Sequence, residues 1–172
     1  QTMSNLRLLN ETSGSSVSSV KVKDVFTEDF NVYKIVVLRN NATNGQGNLR
    51  YINASGSDVT ASNYDFASLY MYTHTTHSES KLTNQNQIQD AFANWSEGGS
   101  VTYIFNPYQI DSYSFNLTQT HGYAGTTTPA TPMRCIGVLK QQARMTGFEV
   151  IEGTGGTFGG VTVRTYGLRV DS

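Results

Sequence analysis

Three histidines, one cysteine and thirteen acids are the side chains of this 172-residue chain best suited to bind a metal, move a proton or attack a substrate. His74 and His77 stand in YTHTTHSES, close to Glu79. Two metal ligands must converge, yet residues three apart on an extended strand point to opposite faces, so this pair meets only across a turn. They are read as exposed loop histidines, and no metal is expected. His121 stands alone beside a loop rich in Gly and Thr and is read as solvated. Hydrolysis would require two carboxylates opposed across a cleft, or a serine, histidine and acid in hydrogen-bonding reach. The acids are scattered singly except Glu28-Asp29, which as neighbours shape a turn. No G-x-S-x-G, H-E-x-x-H, P-loop, dinucleotide or EF-hand pattern is present. The expectation is a protein with no catalytic residues and no cofactor.

Cys135, the only cysteine, gives neither an internal disulfide framework nor a thiolate metal cluster, and is expected to act as a small buried hydrophobe. Aromatic side chains offer a different chemistry, the stacking of sugar rings with Asn and Gln amides bonding the hydroxyls. Tyr70, Tyr72, Trp95, Tyr108 and Tyr123 are the candidates. The first three are expected as core or subunit contacts. Tyr123 lies in the long stretch His121 to Pro132, so the candidate ligand-contact loops are those around His74, His77 and Tyr123.

A formal net charge of −1 leaves no basic face to displace phosphate counterions, so no nucleic-acid partner is expected. Charged residues are 15% of the chain, against about 25% in typical soluble domains, and Ser, Thr, Asn and Gly take their place. Such a surface has little long-range self-repulsion and suits copies packed side by side. No run approaches the roughly eighteen apolar residues of a membrane span, and QTMSNLRLLNETSGSS lacks the apolar core of a secretion signal. A soluble chain with no membrane insertion is expected.

The elements that must position these residues read as strands. Phe26 to Arg39 is the longest β-favouring run, apolar at both parities, which predicts a central strand covered on both faces. Val20 to Phe26 precedes it, and NNATNGQGN at 40–48 is read as a hairpin leading into Leu49 to Ile52. Tyr64 to Thr73 follows, with Tyr64, Phe66, Tyr70 and Tyr72 on one parity and Ala67, Leu69 and Met71 on the other. Ile88 to Ser96 fits a marginal helix or a strand, with strand preferred. Val101 to Phe105, Tyr113 to Leu117, Arg134 to Lys140, Met145 to Glu152 and Val161 to Val170 complete the set. Residues 1–16, rich in Ser, Gly and Asn, are expected as an N-terminal arm, and 17–172 as a single β domain. Turn signals at this spacing, without βα alternation, predict an all-β, antiparallel jelly-roll-like sandwich of about eight to ten strands with long loops.

FTEDFNVYKIVV, NLRYINASG, NYDFA, GSVTYIFNPY, MTGFEV and the closing GGVTVRTYGLRV together resemble a family of small virion proteins of marine tailed phages, cyanophages above all. The resemblance extends from about Val17 onward, and Tyr166-Gly167-Leu168-Arg169 is similar to the family's YGL(R/K) ending. It implies a jelly-roll-like domain on the exterior of the virion, in a tail fibre or other appendage, commonly as a homotrimer. Other virion proteins are then partners, and a host-surface glycan is a candidate ligand. Head decoration is the alternative within that class, and a carbohydrate-binding module is the alternative outside it. The family supplies no catalytic residues to transfer. Departures from its pattern concentrate in the loops 74–86 and 121–133.

Overall fold

The computed structural model describes residues 5–40, 45–73, 75–92, 97–123 and 132–169, the Tyr123 side chain excepted. Among these residues there is no helix. Twelve strands form two antiparallel sheets: β1 (Leu6–Val17), β2 (Ser19–Val22), β3 (Val32–Asn40), β4 (Gly47–Asn53), β5 (Tyr64–Tyr70), β6 (Ser78–Gln85), β7 (Ile88–Phe92), β8 (Glu97–Phe105), β9 (Ser114–Tyr123), β10 (Met133–Leu139), β11 (Met145–Glu152) and β12 (Phe158–Leu168). The larger sheet has the order β1-β12-β3-β8-β9-β10-β5-β6 and the smaller β2-β11-β4-β7. The expected antiparallel sandwich is therefore present, with more strands than the turn spacing predicts.

Four pairs nest inside one another along the chain: β1 with β12, β2 with β11, β3 with β8, and β4 with β7. Two further hairpins, β5–β6 and β9–β10, widen the larger sheet beyond β8. In the larger sheet the ends that lead into the 71–77 and 124–132 connections lie together, and the backbone N–H of Met71 donates to the carbonyl of Pro132 at 2.9 Å.

Three expectations are corrected. The stretch read as an arm is strand β1 from Leu6 on, paired with β12 from Leu6↔Leu168 to Val17↔Phe158. An edge strand is held by backbone bonds and needs few apolar side chains. Leu9 and Val17 reach the core, while Ser13 and Ser15 bond Thr162 and the carbonyl of Gly159. Within the loop read at 74–86, residues 78–85 form β6, whose side chains are almost all exposed. Lastly, 40–48 is no hairpin, because β3 and β4 belong to different sheets and the chain crosses the sandwich there.

The central position predicted for the Phe26 to Arg39 run is observed for β3, which sits between β12 and β8. Tyr33, Ile35 and Val37 are fully buried on its inner face. Phe26 meets the Tyr33 ring edge-on at 4.6 Å and stacks on Phe148 at 5.7 Å. The Tyr33 hydroxyl donates to the Thr27 carbonyl (3.0 Å) and accepts the Thr27 N–H (2.7 Å), fixing the 27–29 turn to the core. Ile88 to Phe92 is a strand, as preferred; residues 93–96 of that contested run lie outside the described set.

Gly167, in the YGLR ending, has a packing role. A Cβ there would fall 2.7–2.8 Å from three ring atoms of Phe30, so the glycine is what lets that ring lie against β12. A rigid ring cannot swing a single atom aside, so Gly167→Ala is expected to destabilise the fold by about 1–3 kcal/mol, as overpacked cores do. Differential scanning calorimetry should register this as a melting point lower by several degrees. An unchanged melting point would show that Phe30 has another place to go.

Candidate interaction surface

β7 is the edge strand of the smaller sheet, and its bare edge faces the interior of the larger one. Buried peptide carbonyls require donors. Thr102 of β8 and Thr118 of β9 both donate to the carbonyl of Ala91 at 2.8 Å, and the Cys135 thiol lies 3.5 Å from the carbonyl of Gln89. Asp90 between them adopts φ 57°, its N–H donating to Asn48 Oδ1 at 3.3 Å and its carboxylate accepting the Tyr70 hydroxyl. Burial pushes the Asp90 carboxyl upward, and the Tyr70 hydrogen bond draws it partly back. Burial likewise pushes the Cys135 thiol up to about 12, so it is a protonated, unreactive group at neutral pH.

Thr118 belongs to a strand whose polarity is reversed. Its inner face carries Ser114, Asn116, Thr118 and Thr120, all buried, while its outer face carries Phe115 and Leu117. The outer side chains line up with those of neighbouring strands. Register places Tyr103, Leu117 and Ile136 in one row, and Phe105, Phe115 and Val138 in the next. A third row brings Val36 beside Val101. Leu38, Leu69, Phe115, Leu117 and Ile136 are 41–57% exposed, and none of the described residues covers them. The face is hollowed by two shallow depressions of about 640 and about 570 Å³, with Arg134 lining both. At its rim Arg164 Nε bonds Glu11 at 2.6 Å.

The residues singled out from sequence fall elsewhere. His77 is exposed just ahead of β6; His74, Trp95 and the Tyr123 side chain lie outside the described residues. The backbone of Tyr123 ends β9, so its connection and that of His77 occupy the same end of the sheet. His121 is not in a loop but in β9, exposed on the outer face. Tyr70 packs against the core and stacks on Tyr72 at 6.1 Å. Among the described residues no three of His, Cys, Asp and Glu converge. A second apolar face is expected from the β3 run, but the part of it on β9 is not. Its signal was the alternation of Tyr113, Phe115 and Leu117 against Ser114, Asn116 and Thr118, which does not say which parity turns inward.

No protein-family model matches the chain, and no curated protein matches it with significance.

The buried Asp90 generates a pH dependence. Because its carboxyl is raised in the folded chain, its contribution to stability is fully present below the unfolded-state value, near pH 4, and is lost as pH rises through the folded-state value. Asp90→Asn keeps an acceptor for Tyr70, tolerates the positive φ and cannot ionise. Urea midpoints measured from about pH 4 to neutrality should fall in the parent relative to the Asn variant. Parallel curves would show that Asp90 ionises in the fold as readily as in the unfolded chain.

Proposed function

We propose that this chain is a structural subunit of a tailed-phage particle, in a tail fibre or related appendage, joined to its own copies through the outer face of the larger sheet. The observation that carries the assembly reading is the reversed polarity of β9. Its polar residues face inward, where Thr118 bonds β7, and its apolar ones are left outward in register with Tyr103 and Ile136. The nested strand pairing supports the reading further, since a jelly roll calls for two Greek keys spread over two sheets. The sequence resemblance adds the exterior of the virion, other virion proteins as neighbours, and a homotrimer.

Magnitudes decide how broad the contact must be. Covering one half-exposed Leu, Ile or Phe returns roughly 1 kcal/mol, so the five on this face return about 5. Association costs about 4–15 kcal/mol in lost translational and rotational freedom. The contact therefore extends over Val36, Val101 and Tyr103 as well, toward the scale of about 800 Å² per partner. Head decoration would use the same face; electron microscopy of particles carrying a labelled copy separates the two locations.

Light scattering at micromolar concentration should give the mass of a trimer. The double variant Leu117→Lys/Ile136→Lys should run as a monomer with an unchanged circular dichroism spectrum, since exposed substitutions usually stay within about 0.5 kcal/mol. A strictly monomeric parent protein overturns the assembly reading.

A further inference from the structure

We infer that the cleft where the 23–31, 106–113 and 140–144 connections meet is a binding site for a neutral saccharide ring. It lies at the opposite end of the sandwich from the 71–77 connection and off the outer face, so assembly through that face leaves it open. The cleft is held in shape by the framework. Asn106 N–H donates to the Asn31 carbonyl (2.8 Å), Met145 N–H to the Pro107 carbonyl (2.7 Å), and Gln142 Nε2 to the Asp111 carbonyl (3.2 Å). The amide of Gln109 donates to Asn31 Oδ1 at 2.9 Å and fixes one wall.

Charge selects the ligand. The Glu28 and Asp111 carboxylates border the cleft without an ion-pair partner among the described residues, and they oppose an anion. Arg144, lying over the Tyr108 ring at 5.0 Å, opposes a bare cation. A neutral, hydroxyl-rich molecule satisfies both, giving its O–H groups to the carboxylates and accepting from the guanidinium. Ile110, 62% exposed, is the most exposed large apolar side chain described, and it offers a surface to the C–H face of a sugar. The volume, about 270 Å³, is below the roughly 300–1,000 Å³ of clefts that enclose drug-sized ligands, which fits one ring.

The test is saturation-transfer difference NMR with glucose, galactose, mannose and N-acetylglucosamine, and with glucuronate and glucosamine as charged controls. Saturable transfer to the ring protons of at least one neutral sugar is expected. Glu28→Gln/Asp111→Asn and, separately, Ile110→Ala should weaken it, the first by about tenfold or more, the worth of hydrogen bonds to charged groups. These positions are at the surface, so folding is preserved, and light scattering on the same samples reports assembly independently. No transfer to any neutral sugar, transfer confined to the charged controls, or transfer undiminished in both variants overturns the inference. A monomer that still binds the sugar overturns only the assembly reading.

Discussion

A strand at the margin of a sheet presents peptide groups that must find partners before they can be enclosed, and β7 is enclosed. The carbonyls of Gln89 and Ala91 have no strand beside them. Thr102, Thr118 and the Cys135 thiol stand where an additional strand would. That requirement sets the side-chain order of the middle of the larger sheet. Once Thr118 is committed inward on β9, the period of two sends Phe115 and Leu117 outward. The apolar exterior is thus the reverse side of a hydrogen-bonding solution in the interior.

The same arrangement accounts for the unequal sheets. Eight nested strands would cover each other four on four. The hairpins β5–β6 and β9–β10 carry the larger sheet past the smaller, and β7 lies across the junction. Beyond it β6 is exposed on nearly every residue, and Lys140, bonded to Asp65 at 2.9 Å, pins its neighbour β5 at one end. The tight centre and the thin margin have different work: the first fixes the register of the outer rows, the second extends their area.

Much of this architecture is legible in the residues. β3 announces itself because both its faces are apolar, and β5, β11 and β12 because alternation and turn residues agree. The strands that escape sequence reading are those held mainly by backbone pairing. β1 has Ser, Gly and Asn where a buried strand has Val or Ile, and SESKLTNQ in β6 offers a single aliphatic residue, Leu82. The crossing at 40–48 escapes for another reason: Asn and Gly permit a tight turn, but whether the next strand pairs or passes to the other sheet depends on partners far along the chain in β11 and β12. The outer face is legible only as an ambiguity of parity, which the bonding needs of β7 resolve.

Nested pairing also orders the events of synthesis. β12 joins β1 to β3, so the larger sheet cannot close until residue 168 has left the ribosome, and β1 waits for β12. Contacts so distant in sequence slow the search for the native state and leave hydrophobic segments uncovered meanwhile.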